Sequence, residues 1–294
     1  AGKSVTHHSH YFNAVYTINS LGFRDKPRNV LKDKNVYRIL LYGDSQIFGW
    51  GVPEDKRFSN LIENQMRHIE IWNLAVPGYG LDQEILSYER DGKPLNADEV
   101  IFFVSGNTLE RTRYNYIYKK HKPMFVIDET GTLQLISIPK EKAATTSLLY
   151  KILSPMYLPY FLERRSEMLK DVLKKSSYSR NRGTNTESII PRERMGDFEK
   201  KMFIMAKNMA LERKQRITIL AELPKAKSKD LEDFCNQNEI GFLKIAFDDN
   251  NEKQGLVFGK YDYHWNLQGH KLVAQQLLSQ MEKMSNGGER VLLP

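Results

Sequence analysis

Five short apolar runs give the chain an alternating pattern of strands and helices. Each run is rich in β-branched and aromatic residues, and most are followed by apolar residues at helical spacing. Strands that are joined by helices run parallel, so their carboxyl ends meet at one edge of the sheet. The predicted strands are Val36–Tyr42, Ile69–Leu74, Val100–Val104, Ile217–Leu223 and Gly241–Phe247, and the predicted helices are Phe58–Met66, Leu81–Arg90, Lys229–Asn238 and Leu267 to about Met284.

The alternation is interrupted between residues 110 and 216. Pro123–Ile127 and Thr132–Ile138 flank a turn and predict a β-hairpin, and three helices follow, around Ser147–Ser154, Pro159–Lys175 and Gly196–Lys214. A polar, aperiodic stretch near 176–191 predicts a mobile loop. We therefore predict an N-terminal extension (1–35), a core (36–109 and 217–286), an inserted cap (110–216) that is the candidate for a lid or for selecting substrate, and a tail (287–294).

The first predicted strand of the core ends in a turn with Ser45 at its apex. A serine between a buried strand and a helix lies at the carboxyl edge of the sheet, with free backbone N–H groups around it, which suits a nucleophile. A serine that only caps the following helix fits this stretch about equally well. The stretch alone leaves both interpretations open.

Three other predicted turns at the same edge carry groups that serve acyl transfer. Gly78 offers an unobstructed backbone N–H, and Asn107 offers a side-chain amide. His264 lies in a predicted turn before the last helix, two residues after Asp262, so one turn supplies a base and an acid. Taken singly, each has a structural alternative: a tight turn at Gly78, an Asx-turn or helix cap at Asn107, and a chance surface motif at Asp262 and His264. Their convergence at one edge favours a site.

Four sequence blocks resemble the SGNH/GDSL hydrolase superfamily. They are YGDSQ (42–46), NLAVPG (73–78), GN (106–107) and DYHWN (262–266). The resemblance implies an α/β/α sandwich with a five-stranded parallel sheet in flavodoxin-like order. It also implies Ser45 as nucleophile, His264 as base, Asp262 as acid, and the N–H of Ser45 with Gly78 and Asn107 as the oxyanion hole. The upstream NSLGFRD (19–25) resembles a bacterial subgroup with many secreted or membrane-anchored members.

Three positions depart from the pattern of that superfamily. Asp262 and His264 are separated by one residue instead of two, as in members that resemble alginate O-acetyltransferases. Gln46 replaces an aliphatic or small residue after the nucleophile, and Thr108 replaces an Asp. The short spacing affects the assignment of Asp262 as the acid more than that of His264 as the base, because some members of the superfamily work with a Ser–His pair and another group that orients the histidine.

Composition and charge narrow the class further. The single cysteine, Cys235, excludes an intramolecular disulfide, and no run approaches the roughly 18 apolar residues of a membrane span. The net charge of +8 suits an anionic partner, but the basic stretch from Arg164 to Arg216 has no nucleic-acid signature, and we interpret it as a solvated helical face. We interpret the terminal histidines as solvated too, and predict no metal site; these are His7, His8 and His10.

Together these features predict a serine esterase without a cofactor. We expect it to remove acetyl or other short acyl groups from a carbohydrate or small ester. The alternatives are an O-acetyltransferase acting on a polysaccharide, and a catalytically silent module that binds an anionic glycan. We expect no nucleic-acid partner, but contact with an anionic glycan or a membrane surface is compatible with the charge. Because the chain begins with Ala1, we expect a removed upstream segment and an extracytoplasmic location, periplasmic or membrane-anchored; a cytoplasmic location is the alternative.

Overall fold

The computed structural model describes residues 3–66, 68–118, 120–138, 195–247 and 254–286. Its strands are β1 Lys3–His8, β2 Asn13–Ile18, β3 Tyr37–Tyr42, β4 Ile69–Asn73, β5 Glu99–Ser105, β6 Tyr116–Ile117, β7 Lys120–His121, β8 Met124–Ile127, β9 Leu133–Ile136, β10 Arg216–Glu222, β11 Gly241–Lys244, β12 Val257–Gly259 and β13 Asp262–Trp265. Its α-helices are α1 Ser45–Phe48, α2 Phe58–Gln65, α3 Leu81–Ser87, α4 Gly106–Arg111, α5 Asp197–Glu212, α6 Lys225–Gln237 and α7 Leu267–Asn286.

A five-stranded sheet forms the centre of the fold. Its strand order is β11-β10-β5-β3-β4, and every neighbouring pair is parallel. Numbered by their sequence order within this sheet, the strands run 5-4-3-1-2, which is the flavodoxin-like order. The predicted fold class is therefore confirmed, and the carboxyl ends of β3, β5 and β10 lie side by side.

Side chains that alternate along each strand build two separate cores. Leu40 and Tyr42 of β3 face one core, which also buries residues of α3, α5 and α6. Ile39 and Leu41 face the other core, which buries residues of α2 and α7. Successive strand residues point to opposite faces of a sheet, so both faces are covered by helices. The result is the three-layer α/β/α sandwich that the sequence predicts.

The region predicted as an inserted cap has two parts in the structure. The predicted hairpin is present as β8 and β9, which are antiparallel. Helix α5 packs on the sheet, burying Met202, Phe203, Ala206 and Ala210, so it is the crossover helix before β10 and is part of the core. The predicted helices at 147–154 and 159–175 and the loop near 176–191 lie outside the described residues, as does the tail 287–294.

The chain divides into two units, and the strands and helices whose bounds are given above all lie in the unit of residues 1–138 and 193–294. The other unit, 139–192, lies outside the described residues. Within the described residues, no helix combines the length and the apolar character needed to cross a membrane.

The N-terminal extension is folded against the core. β1 and β2 form an antiparallel hairpin, and the segment after it buries Arg24 and Asp25. Asp25 accepts a hydrogen bond from the guanidinium of Arg57, which is itself buried at the start of α2. A buried charge needs a partner of opposite charge, and here Asp25 of the extension is paired with Arg57 at the start of α2. The extension is thereby tied to the start of α2 in the core.

Candidate active site

Ser45 is the first residue of α1, immediately beyond the end of β3. The turn requires Gly43, because a Cβ there would lie 2.4 Å from Cγ1 of Ile47. Asp44 caps the helix by accepting a hydrogen bond from the N–H of Gln46 at 2.9 Å. Gly49 ends the helix in the left-handed region, with φ of 78°. This short, capped helix fixes Ser45 at the carboxyl edge of the sheet.

His264 and Asp262 lie beside Ser45. Nε2 of His264 is 2.8 Å from Oγ of Ser45, and Nδ1 of His264 is 2.6 Å from Oδ1 of Asp262. A carboxylate only accepts hydrogen bonds, so Nδ1 carries the ring proton and Nε2 is free to accept the Ser45 hydroxyl proton. The ring of Trp50 stacks on the His264 imidazole, with centroids 5.5 Å apart. The three predicted catalytic side chains therefore form a continuous hydrogen-bonded chain.

The local structure around His264 corrects one expectation. His264 was predicted in a turn before the last helix, but Asp262–Trp265 forms strand β13, which pairs with β12. Residues two apart on a strand share one side, so Asp262 and His264 point the same way while Tyr263, between them, is exposed. Asp262 also accepts the backbone N–H of His264 at 3.1 Å. The one-residue spacing is thus the spacing that a strand requires.

Gly78 and Asn107 line the same pocket as Ser45 and His264. This pocket has a volume of about 600 Å³ and also contacts Asp262. Gly78 has φ of 84°, a conformation that favours glycine, and a Cβ there would lie 2.8 Å from the ring of Tyr118. Asn107 is exposed on the first turn of α4. All five predicted site residues therefore face one cavity.

Several pocket residues were not identified from the sequence. Arg111 donates a hydrogen bond to Asp44 at 2.8 Å, and this partner raises the pKa of the guanidinium even though burial alone would lower it. Arg111 lies on α4 one helical turn beyond Asn107, so only that spacing could have indicated it. The other residues that line the pocket without having been predicted as site residues are Asp44, Gln46, Trp50, Pro77, Tyr118, Tyr261 and Tyr263.

Two buried titratable groups lie behind the site. The His270 ring is 1% exposed, and burial together with Arg57, Arg24 and His264 lowers its pKa to about 3. It accepts a hydrogen bond from the N–H of Phe58, so it is a neutral packing residue. Burial also raises the pKa of Glu222 to about 8, although the indole N–H of Trp265 hydrogen-bonds to it. The described residues contain no group of three or more His, Cys, Asp or Glu that could hold a metal ion.

Several solved structures have a similar backbone arrangement. A member of the lipolytic G-D-S-L family from Veillonella parvula DSM 2008 is 12% identical, with a TM-score of 0.45 over 84% of this chain and 100% of that chain. The psychrotrophic esterase EstA from Pseudoalteromonas sp. is 10% identical, with a TM-score of 0.49 over 85% of this chain and 98% of that chain. The acetyl xylan esterase AlAXEase is 14% identical, with a TM-score of 0.44 over 83% of this chain and 98% of that chain. No family model and no curated protein matches the sequence.

Proposed function

We propose that this protein is a serine esterase of the SGNH/GDSL type that works through an acyl-enzyme on Ser45. One observation carries the proposal: the chain of hydrogen bonds from Ser45 Oγ to His264 Nε2, at 2.8 Å, and from His264 Nδ1 to Asp262, at 2.6 Å. A serine hydroxyl is a weak nucleophile until an adjacent base accepts its proton, and this arrangement supplies that base.

The acylation step follows from this geometry. Oγ of Ser45 attacks the ester carbonyl carbon while its proton moves to Nε2 of His264, and Asp262 stabilises the imidazolium that forms. The carbonyl oxygen becomes an oxyanion, for which the donors are the N–H groups of Ser45 and Gly78 and the side-chain amide of Asn107. The intermediate then collapses, the ester C–O bond breaks, and the imidazolium gives its proton to the departing alkoxide.

The deacylation step repeats the same proton transfers with a new nucleophile. His264 takes a proton from water, and the resulting hydroxide attacks the acyl-enzyme. The second tetrahedral intermediate releases the carboxylic acid and restores the Ser45 hydroxyl. Each proton that His264 accepts is returned within the same half-reaction, so the cycle needs no other acid or base.

We further propose short acyl groups on a carbohydrate or small ester as the substrate. The ring of Tyr118 lies across Gly78 and leaves little space beside one of the oxyanion donors, which supports a small acyl group. Exposed aromatic rings at the pocket, Tyr261 and Tyr263, offer flat apolar faces that suit a sugar ring. An O-acetyltransferase is the second candidate, favoured by the one-residue spacing between Asp262 and His264, which resembles the alginate O-acetyltransferase type.

Two measurements test the proposal. Ser45→Ala should lower kcat toward p-nitrophenyl acetate by at least about 10³-fold. The folded wild-type protein, but not this variant, should be labelled by a fluorophosphonate. Unchanged turnover in Ser45→Ala would refute the assignment, and a wild-type protein that neither turns over esters nor takes the label would favour a silent binding module.

Two further assays address the substrate and the acceptor. Turnover should decline from the acetate to the hexanoate p-nitrophenyl ester, because Tyr118 restricts the space for the acyl group. Incubation with an acetyl donor and a polysaccharide distinguishes the two enzyme candidates: an esterase removes acetyl groups from the polysaccharide, whereas a transferase adds them.

A further inference from the structure

The side chain of Gln46 bridges the helix that carries Ser45 and the strand that carries His264. Gln46 directly follows Ser45 on α1 and is half-buried. Its Nε2 donates to the carbonyl oxygen of Tyr263 at 3.1 Å, and its Oε1 accepts the N–H of Trp265 at 3.0 Å. One amide therefore uses both its donor and its acceptor on the backbone of β13.

The two contacted groups belong to the peptide units on either side of His264. The carbonyl of Tyr263 lies in the peptide that precedes the α-carbon of His264, and the N–H of Trp265 lies in the peptide that follows it. Peptide units are planar, so fixing both planes fixes φ and ψ of the residue between them. The direction in which the His264 side chain leaves the backbone is then set by Gln46.

We propose that Gln46 is a positioning residue that holds the imidazole of His264 against the hydroxyl of Ser45; this inference rests on the esterase function proposed above. Ser45 and His264 are 219 residues apart in sequence and lie on different elements. The two hydrogen bonds of the Gln46 side chain connect those elements directly. They join the residue next to Ser45 to the peptide units on either side of His264. An aliphatic residue at position 46 could fill the space but could not set the two peptide planes.

The consequence for catalysis is specific. Displacing a catalytic group by about 1 Å can cost on the order of 10²-fold in rate, because proton transfer depends steeply on geometry. Gln46 also lines the pocket, but a replacement of the same length keeps the pocket wall in place, so ground-state binding of a small ester should change little. Loss of the Gln46 amide should therefore lower kcat and leave KM nearly unchanged.

The dependence on the leaving group gives a second readout. His264 must protonate an alkoxide before it leaves, whereas p-nitrophenolate leaves without a proton. A misplaced imidazole should therefore slow an alkyl ester more than an aryl ester. A residue with a purely structural role would lower both rates by the same factor.

The experiment compares Gln46→Met with the wild-type protein and with Gln275→Met. Methionine matches glutamine in length and offers no amide, and Gln275 lies on the exposed side of α7. For Gln46→Met we expect kcat with p-nitrophenyl acetate to fall about 10- to 100-fold, KM to change less than about 3-fold, and fluorophosphonate labelling to slow in parallel. The fall in kcat should be larger with ethyl acetate than with p-nitrophenyl acetate. Gln275→Met should behave as the wild type.

The outcomes separate the two proposals. If the wild type shows neither esterase activity nor labelling, the proposed function fails. If the wild type is active and Gln46→Met stays within about 2-fold of it on both esters, Gln46 does not position His264. Should Gln46→Met fail to fold, Gln46→Asn supplies the same test, because its amide is one methylene too short to reach both peptides.

Discussion

Replacing Arg24 by methionine should weaken both the stability of the protein and its activity. The Arg24 side chain is 1% exposed and donates to the backbone carbonyls of Phe48 at 2.7 Å, of Gly49 at 2.5 Å, and of Val52. Its guanidinium also stacks on the ring of Tyr16, 4.2 Å from the centroid. These contacts hold the carboxyl end of α1, the helix whose first residue is Ser45.

The change in the free energy of unfolding on Arg24→Met is the sum of contributions of opposite sign. The carbonyls of Phe48 and Val52 lose their donor, at a cost of about 1 to 3 kcal/mol each, whereas that of Gly49 still accepts the N–H of Val52; the lost stacking costs about 2 kcal/mol more. Removing a buried charge returns several kcal/mol, and the pKa of Arg24 is indeed lowered, by burial and by neighbouring Arg57. We expect the free energy of unfolding to fall by about 3 kcal/mol, which is within the range measured when one partner of a buried charged contact is removed.

Urea denaturation and ester turnover test this expectation together. Arg24→Met should shift the unfolding midpoint by roughly 1 M and lower kcat, since α1 loses its anchor. Arg90→Met is the control, because Arg90 is exposed and, among the described residues, forms its ion pair with the neighbouring Asp91, a type of contact worth about 0 to 1 kcal/mol. If Arg24→Met unfolds at the wild-type urea concentration and keeps full kcat, the anchoring role of Arg24 is refuted.

Two more outcomes are expected. The pKa of His270 is about 3 in the folded protein against an ordinary value near 6.5, so the unfolded chain takes up a proton first as the pH falls. Protonation of this group should therefore lower the free energy of unfolding by about 1 kcal/mol per pH unit between pH 6.5 and 3. His270→Gln should flatten that slope when urea denaturation is repeated at several pH values. Asp262→Asn should lower kcat about 10²- to 10⁴-fold at unchanged fold, because the amide no longer fixes the His264 tautomer; a loss below about 10-fold would mean that Ser45 and His264 suffice.

Local sequence patterns were enough to predict the central sheet. β5 is buried along its whole length, and its five central residues, Val100–Val104, form an unbroken apolar run; such runs predict parallel strands that are covered on both faces. The turns that follow the strands could be placed at one edge for the same reason. This is why the sequence alone places Ser45, Gly78 and Asn107 in one group.

The predictions failed where structure depends on distant partners. β13 was missed because the alternation of polar and aromatic residues in Asp262–Trp265 spans only four residues, too few to distinguish a strand from a turn; the pairing with β12 makes this segment a strand. The polar segment around Arg24 gave no sign of burial, since its carbonyl partners lie more than 20 residues away. Helix α5 was assigned to the cap because periodicity shows that a helix has an apolar face but not which surface covers that face.

The distance along the chain between Ser45 and His264 has a consequence for biosynthesis. A ribosome adds about 5 to 20 residues per second, so the 219 residues that separate the two side chains take on the order of 10 to 40 s to synthesise. Throughout that interval the proposed nucleophile exists without its base, so the proposed function requires the nascent polypeptide to be unreactive toward esters in its surroundings. Under that proposal, acyl transfer begins only after β13 has left the ribosome and joined the sheet edge, and the onset of fluorophosphonate labelling during translation would report the completion of folding.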